Sequence, residues 1–195
     1  MLKIGLTGNI GSGKSLVCHV FEKLNIPVFY ADIEAKKILN NSIVISELIN
    51  YFGDGILDKN RAAIDRKKMA AIVFNNKFKL KKLNSIIHPR LRIEFEDWCS
   101  TFKNSPYIIQ EAAILLENGL GKNFDKIIVV SAPKKIRLLR AMERDSMAEA
   151  EVLARMKNQW SDKRKEMAAD FVIKNDGKQL ILPQILKIHQ LFSSK

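Results

Sequence analysis

A short stretch near the start of the chain carries the residue types and the spacing of a phosphate-binding loop. Gly8 is followed by four residues and then by Gly13, Lys14 and Ser15. In this pattern glycines let the backbone N–H groups face phosphate oxygens, the lysine reaches the β- and γ-phosphates, and the serine hydroxyl contacts Mg²⁺. The alternative is a glycine-rich turn that only closes a strand–helix unit. The other residues expected to line a nucleotide are Asn9, Ile10, Gly11, Ser12 and Leu16.

Two acidic residues are expected close to this loop because each follows a predicted strand. Asp32 follows the strand predicted at 27–30, and Glu111 follows the strand predicted at 107–110. Ligands of open parallel sheets bind at the carboxyl ends of the strands. Asp32 could therefore accept or orient an attacking hydroxyl, or it could cap a helix that begins at Ile33. Glu111 could hold the Mg²⁺ shell, or it could be an exposed acid at a strand end.

Three arginines follow one another at helical spacing in the second half of the chain. Arg137, Arg140 and Arg144 share one face of a predicted helix. Arginine binds phosphate oxygens in a bidentate manner and stays charged, so this row suits a triphosphate. The alternative is a solvated basic face that pairs with Glu143 and Asp145.

The elements that must position these side chains alternate between strands and helices. Short apolar runs rich in Val, Ile, Phe and Tyr predict strands buried on both faces of a parallel sheet. The segments between them have apolar residues at helical spacing, which indicates an α/β fold with right-handed crossovers. We therefore expect a five-stranded parallel sheet flanked by helices, with strands at 2–7, 27–30, 107–110, 126–130 and 170–173.

Two long helical stretches interrupt this alternation and predict one domain with two insertions. The core is expected at about 1–31, 105–132 and 170–195, a helical subdomain at about 32–104, and a helical lid at about 133–169. Within the first insertion, Asp65 is predicted to cap a helix. Because of Pro89, one helix is expected to end near His88 and another to begin at the proline. In the lid, Ser146 and Glu149 fit a capping box.

The composition limits which ligands and which class of protein are expected. The net charge of +12 predicts an anionic partner, either nucleic acid or phosphorylated small molecules. Aromatic residues make up only 8% of the chain and are scattered, which argues against a stacking surface for nucleic acid. We see no signal peptide and no apolar run near the roughly 20 residues of a membrane span. Cys18 and Cys99 lack metal-type spacing and predict buried thiols in a cytoplasmic protein.

The chain resembles the dephospho-coenzyme A kinases over nearly its whole length. The resemblance begins with the loop GLTGNIGSGKS and the pair Ala31-Asp32. It continues through Phe52-Gly53, Ile56-Leu57, Asp65-Arg66, His88-Pro89, the segment 114–120, the arginine segment and residues 169–175. The loop is common to many nucleotide-binding proteins, and the ordered combination of these motifs is much more specific.

The resemblance implies a P-loop kinase fold and a reaction. ATP would phosphorylate the ribose 3′-hydroxyl of dephospho-coenzyme A with Mg²⁺ as cofactor, the last step of coenzyme A biosynthesis. Lys14 and Ser15 would serve ATP and the metal, Asp32 would face the acceptor hydroxyl, and Arg140 would lie near the transferring phosphate. The further positions implied on the acceptor side are Arg66, His88, Arg90, Arg92, Glu111, Leu115 and Glu117.

The chain departs from the family's common pattern at a few positions. Tyr30 stands where the first acid of Asp-Ala-Asp is common. The family commonly has an Asp followed by a Pro-Leu-Leu run, and here Glu111 and Ala113 stand in for the Asp and the Pro. Asn9 stands where glycine is common. Taken alone, the residues would make His88 structural, and Glu117 could equally be a surface acid.

Three other functions stay open from the residues. The first is another small-molecule kinase of the nucleoside-monophosphate type, the second a nucleic-acid-binding P-loop ATPase, and the third a regulatory P-loop switch. A monomer or a weak homo-oligomer is expected.

Overall fold

The computed structural model of the chain describes residues 1–74 and 76–194. The strands are β1 (Leu2–Thr7), β2 (Val28–Tyr30), β3 (Tyr107–Glu111), β4 (Lys126–Ser131) and β5 (Phe171–Lys174). The helices are α1 (Lys14–Lys23), α2 (Ala31–Ile38), α3 (Ser42–Phe52), α4 (Arg66–Phe74), α5 (Lys77–Thr101), α6 (Lys134–Asp145), α7 (Glu149–Lys157), α8 (Asp162–Met167) and α9 (Ile181–Ser193). Short 3-10 turns lie at Asp54–Ile56 and Leu120–Asn123.

The five strands form one parallel sheet in the order β2-β3-β1-β4-β5. β1 lies in the middle, where Leu2 pairs with Tyr107 of β3 and Ile4 pairs with Lys126 of β4. Every residue of β3 is buried, as expected for a strand covered on both faces. The predicted five-stranded parallel sheet is confirmed, and the strand ends differ from the predicted ones by no more than one residue.

The sheet and the helices that pack on it form one of two compact units, residues 1–30 and 101–195. Val17 and Phe21 of α1 and Ile185 and Ile188 of α9 are buried in the same apolar cluster as Ile4 of the central strand. Apolar residues at helical spacing on α1 and α9 therefore supply the core that holds the carboxyl ends of the strands in place. The predicted lid segment, 133–169, belongs to this unit, and its action as a lid stays a prediction.

Residues 31–100 form a second compact unit made of helices, with bounds close to the predicted 32–104. Its core is separate from that of the sheet and includes Val44 and Leu48 of α3, Met69 and Val73 of α4, and Ile86 of α5. Its role as an acceptor-binding subdomain stays a prediction.

The expected helix break at His88 and Pro89 is wrong, because α5 runs without interruption from Lys77 to Thr101 with the proline inside it. Pro89 has no N–H to donate to the carbonyl oxygen of Ser85, four residues earlier in the helix. Next to it, the side chain of Arg90 donates from Nη1 to the carbonyl oxygen of Ile86 at 2.8 Å. Tertiary packing of Ile86 and Phe95 on the same helix outweighs the local penalty.

The helix starts show which capping predictions were right. Asp65 Oδ1 accepts hydrogen bonds from the N–H groups of Lys67 and Lys68, so the predicted cap of α4 is confirmed. The capping box predicted at Ser146 and Glu149 is wrong. Ser146 instead ends α6 in a left-handed conformation, with φ 49°.

The N-cap of α7 is Ala148, two residues further along the chain than the predicted cap. There the carboxylate of Glu151 accepts a hydrogen bond from the N–H of Ala148. The alternative that Asp32 caps a helix beginning at Ile33 does not hold, since α2 begins at Ala31 and Asp32 lies in its first turn. Within residues 1–74 and 76–194, no helix combines the length and apolar character needed to cross a membrane.

The helical unit should depend on the buried face of α3. Leu48 is fully buried and Ile43 on the same helix is 70% exposed. We expect Leu48→Ala to lower the free energy of unfolding by about 2–5 kcal/mol, because it leaves a cavity, and Ile43→Ala to change it by less than about 0.5 kcal/mol. Chemical denaturation of both variants checks this. Equal effects of the two substitutions would contradict the assigned core.

Candidate active site

The phosphate loop is held so closely by neighbouring elements that several of its positions accept only glycine. A Cβ on Gly8 would overlap the carbonyl oxygen of Val130, and a Cβ on Gly11 would overlap that of Arg137. Gly11 and Gly13 also have positive φ angles, 76° and 95°, which favour glycine. The loop is therefore pre-shaped by β4 and α6 before any nucleotide arrives.

The start of α1 supplies backbone donors next to this loop. The first helical hydrogen bond runs from the N–H of Val17 to the carbonyl oxygen of Gly13, at 3.2 Å. The N–H groups of Lys14, Ser15 and Leu16 precede it and have no carbonyl one turn earlier in the helix to bond. Together with the positive end of the helix dipole they form an anion-binding site of the kind that receives phosphate.

Lys14 and Glu111 bring the chemistry of the loop and of β3 together. Lys14 Nζ lies 3.6 Å from Glu111 Oε1, and both side chains are largely buried. Glu111 is the last residue of β3 and is in register with Leu6 of β1 and Tyr30 of β2. The loop lysine and the acid at the end of β3 therefore lie next to each other.

The same residues fit a magnesium ion. The described residues contain no group of three or more His, Cys, Asp and Glu side chains suited to a metal. Mg²⁺ is usually bound through only one or two protein oxygens, with phosphate and water completing its shell. The exposed hydroxyl of Ser15 and the buried carboxylate of Glu111 supply hard oxygen ligands of this kind.

The three arginines of α6 occupy different environments. Arg137 is only 4% exposed, and its guanidinium donates to Ala132 O at 2.9 Å, to Ile10 O at 3.3 Å and to Asp162 Oδ2 at 2.6 Å. The predicted contact of Arg137 with a triphosphate does not fit this geometry, because its guanidinium is buried and already bonded to protein.

Arg140 and Arg144 differ from Arg137 in their exposure and in their partners. Arg140 is half-buried and donates from Nη1 to Asn175 O at 3.1 Å. Asn175 in turn donates from Nδ2 to Ser12 O of the phosphate loop at 2.9 Å. Arg144 is exposed and pairs with Asp145 through two hydrogen bonds of 2.8 and 2.9 Å. Of the three arginines, Arg140 is thus the one linked to the loop while still partly accessible.

Two residues predicted on the acceptor side have structural places instead. Leu115 is fully buried in the sheet unit, so it cannot reach a substrate. Glu117 Oε1 accepts from Lys165 Nζ at 3.0 Å and from the N–H of Trp160 at 2.9 Å. Burial lowers the pKa of Lys165, and the nearby Glu117 carboxylate opposes that shift. This buried pair fastens α8 to the segment after β3, which is why Glu117 does not fit an acceptor role.

The remaining acceptor-side residues lie in the helical unit. Asp32 is exposed in the first turn of α2, and Arg66 and Arg92 are exposed on α4 and α5. Arg90 is already paired, because its Nη2 donates to Glu47 Oε2 at 2.8 Å. His88 is half-buried, and burial lowers its pKa below the ordinary 6.5, so the imidazole is neutral at pH 7.

A groove of about 470 Å³ in the helical unit is lined by Arg90 together with Glu34, Lys37 and Glu94. Lys37 Nζ is bound to Glu34 at 2.8 Å, so both cations of the groove have acidic partners. Exposed Arg66 and Arg92 are therefore better placed than Arg90 to meet a phosphorylated acceptor.

Several residues around the loop carry no sequence signal for such a role. Gln159 Oε1 accepts from the N–H of Ile10 at 2.9 Å, and Asp162 Oδ1 accepts from Asn9 Nδ2 at 2.7 Å. Both come from a segment far away in the chain, where no spacing rule links them to the loop. Asn175 belongs to a motif quoted for the resemblance, but its contact with Ser12 could only be found in three dimensions.

Comparisons with known proteins identify the family. The family model for dephospho-CoA kinase matches residues 2–180. A dephospho-CoA kinase from Bacteroides fragilis is 37% identical over 203 aligned positions, which cover 100% of this chain and 98% of the relative. The chain belongs to the dephospho-CoA kinase family.

Two solved structures extend the agreement to the fold. The dephospho-CoA kinase from Campylobacter jejuni has a TM-score of 0.70 at 30% identity and covers 98% of this chain and 97% of its own. The Thermus thermophilus protein TT1252 has a TM-score of 0.86 at 28% identity and covers 99% and 96%. The dephospho-CoA kinase fold therefore extends over nearly the whole chain.

The close packing around the phosphate loop gives a first test of the site. We expect Gly11→Ala to weaken ATP binding by more than about tenfold, because the new Cβ meets a backbone carbonyl that cannot move aside. Gly53→Ala is the matched control, since Gly53 has φ 79° but nothing within 4 Å of the added atom. Calorimetric titration with ATP compares them, and equal affinities for the two variants would contradict the assigned loop geometry.

A second test uses the neutral state of His88. The pKa of His88 in the folded protein lies below the ordinary value of 6.5, which the unfolded chain keeps. Between these two pKa values the unfolded chain therefore binds more protons than the folded protein. Stability should therefore rise with pH across this window and fall as pH drops through it. We expect His88→Gln to flatten the rise in unfolding free energy between about pH 5 and about pH 7.

His19→Gln is the control for the second test. The side chain of His19 is 63% exposed, so its replacement should leave the pH slope in place. Denaturant titrations at several pH values supply the measurement. An unchanged slope in His88→Gln would show that burial does not hold this imidazole neutral.

Proposed function

We propose that the protein transfers the γ-phosphate of ATP to the ribose 3′-hydroxyl of dephospho-coenzyme A, giving coenzyme A and ADP. The observation that carries this proposal is the family match over residues 2–180, which includes the phosphate loop and both inserted segments. The relative from Bacteroides fragilis supports it through alignment over the full chain. The donor geometry at the loop supports the phosphoryl-transfer chemistry independently.

The donor half of the reaction is assigned to the sheet unit. The amides at the start of α1 and the ammonium of Lys14 bind the phosphates of ATP, and Leu16 and the loop residues line them. Ser15 and Glu111 would hold Mg²⁺, and the bound ion would supply positive charge that offsets the charge of the ATP phosphates. Arg140 stabilises charge on the transferring group and helps to exclude water, which would otherwise hydrolyse ATP.

The acceptor half is assigned to the helical unit. Asp32 orients the 3′-hydroxyl and accepts its proton as the phosphorus–oxygen bond forms, while ADP departs on the opposite side. Arg66 and Arg92 supply exposed cations for the phosphates of the acceptor. His88 contributes a neutral hydrogen-bonding group, because its imidazole is uncharged at pH 7.

We further propose a cytoplasmic enzyme that is a monomer or a weak homo-oligomer. The thiols of Cys18 and Cys99 are both buried in the structure, which fits a reducing compartment. Sedimentation velocity at several protein concentrations measures the oligomeric state directly.

A panel of acceptors tests the reaction. The purified full-length chain is incubated with ATP, Mg²⁺ and, separately, dephospho-coenzyme A, AMP, CMP or shikimate, and products are separated by mass. We expect coenzyme A to form and the other acceptors to react at least about a hundredfold more slowly. Preferred phosphorylation of AMP or CMP would assign a nucleoside-monophosphate kinase. ATP hydrolysis stimulated by DNA or RNA, with no product from any acceptor, would assign the nucleic-acid alternative.

The role of Asp32 has its own test. We expect Asp32→Asn to bind ATP with unchanged affinity and to transfer phosphate at least about a hundredfold more slowly, because the amide cannot accept the proton. Glu34→Gln is the matched control, since Glu34 lies on the same helix and pairs with Lys37 at 2.8 Å. The rate of ADP formation with dephospho-coenzyme A is the measurement. Turnover by Asp32→Asn equal to that of Glu34→Gln would remove Asp32 from the mechanism.

A further inference from the structure

Asn9, which stands where glycine is common in this family, ties the phosphate loop to a distant segment. Its side chain is almost completely buried, at 4% exposure. One amide donor reaches Trp160 O at 3.0 Å, and a second contact reaches Asp162 Oδ1 at 2.7 Å. Trp160 lies in the segment that joins α7 to α8, and Asp162 is the first residue of α8. The amide of Asn9 therefore makes a connection that a glycine could not make.

Asp162 extends this connection to α6. Its other carboxylate oxygen, Oδ2, accepts from Arg137 Nη2 at 2.6 Å. The Arg137 side chain is 5% exposed and that of Asp162 is 32% exposed. A guanidinium this deeply buried requires a charged partner, because an unpaired buried charge is strongly destabilising. One carboxylate thus joins the phosphate loop on one side to α6 on the other.

The backbone of the loop is also held by α6 and by the segment between α7 and α8. The N–H of Ile10 donates to Gln159 Oε1 at 2.9 Å, and the carbonyl oxygen of Ile10 accepts from Arg137 Nη1 at 3.3 Å. Both polar backbone groups of Ile10 are therefore bonded to side chains, one from the segment between α7 and α8 and one from α6. The first half of the loop is fixed by protein contacts alone.

The second half of the loop is connected to α6 by a different route. Asn175 Nδ2 donates to Ser12 O, and the carbonyl oxygen of Asn175 accepts from Arg140. Arg137 and Arg140 are three residues apart, so they lie on the same side of α6. The helix is thus attached to the loop directly, through Arg137 and the carbonyl oxygen of Ile10, and by two bridges, through Asp162 and through Asn175.

We propose that Asp162 is a positioning residue that sets where α6 lies against the phosphate loop, and so fixes Arg140 relative to bound ATP. Asp162 itself contacts no reacting atom. It acts by holding Arg137 and Asn9 in one arrangement before the nucleotide binds, which avoids an ordering cost during binding. The effect of Asp162 on the rate of phosphate transfer rests on the proposed kinase function, whereas its effect on the affinity for ATP does not.

The direction of the effect separates positioning from simple electrostatics. Asp162→Asn keeps the size of the side chain and removes its negative charge. If the carboxylate only repelled phosphate, its removal would tighten ATP binding. The positioning role predicts the opposite, an increase in the Kd for ATP of about tenfold or more, because the buried Arg137 loses its charged partner and α6 shifts. Calorimetric titration with ATP, without any acceptor, measures this.

Asp170→Asn is the matched control. Asp170 lies in the same unit, its side chain is 35% exposed, and it accepts from Lys126 Nζ and from the N–H of Ile127, each at 2.8 Å. It should lose comparable stability in thermal melts and keep its ATP affinity. Equal ATP affinities for Asp162→Asn and Asp170→Asn, or tighter binding by Asp162→Asn, would overturn the proposal.

A double-variant cycle with Arg140→Lys tests whether Asp162 acts through Arg140. If Asp162 positions Arg140, the rate losses of the two single variants should combine to less than their product. Independent, multiplicative losses would overturn the proposed route. The measured rate is that of ADP formation with dephospho-coenzyme A, or that of ATP hydrolysis if no acceptor reacts. The test can therefore be carried out even if dephospho-coenzyme A is not the acceptor.

Asn9→Gly provides a second variant in case Asp162→Asn does not fold. It removes the connection from the loop side and leaves no buried charge unpaired. We expect its Kd for ATP to rise severalfold, with Arg137 and Asp162 still paired. An unchanged Kd for ATP in a folded Asn9→Gly variant would overturn the proposal as well.

Discussion

The close approach of the phosphate loop to its neighbours is the constraint on which the rest of the site depends. Gly8 and Gly11 lie against the carbonyl oxygens of Val130 and Arg137, and Gly13 lies against the side chain of Asn175. The loop can take this path only where Cβ atoms are missing. The curvature that faces phosphate is thus imposed by β4, α6 and the end of β5. The ligand then meets a loop that has already lost its conformational freedom.

The charges around the loop are organised as pairs. Lys14 lies beside Glu111, Arg137 is bonded to Asp162, and Lys165 is bonded to Glu117. These three cations are therefore balanced locally, although the sequence as a whole carries a charge of +12. Attraction for phosphate at the loop comes from the start of α1, from Lys14 and from Arg140. The net charge indicates an anionic ligand, and the local arrangement of donors decides where that ligand binds.

The sequence predicted the parts of the fold that follow from local pattern. Continuous apolar runs predicted five strands because both faces of the sheet are covered. The glycine spacing predicted the loop, and strand ends predicted the place of Glu111. Local rules failed where packing decides. Pro89 stays within α5 because the helix is buried along one side, and Leu115 is part of the core. The partners Gln159 and Asp162 could not be predicted, since nothing in their spacing connects them to Ile10 and Asn9.

The central place of β1 has a consequence for the order in which the newly made chain can fold. β1 is translated first, yet its two neighbours are β3 and β4, which follow only after residue 106. Residues 31–100 carry an apolar core of their own and need no partner from the sheet. During synthesis the helical unit can therefore fold on the ribosome while the first strand waits unpaired. The nucleotide-binding loop follows β1 directly, so it can take its final shape only after the later strands and helices that hold it have been made.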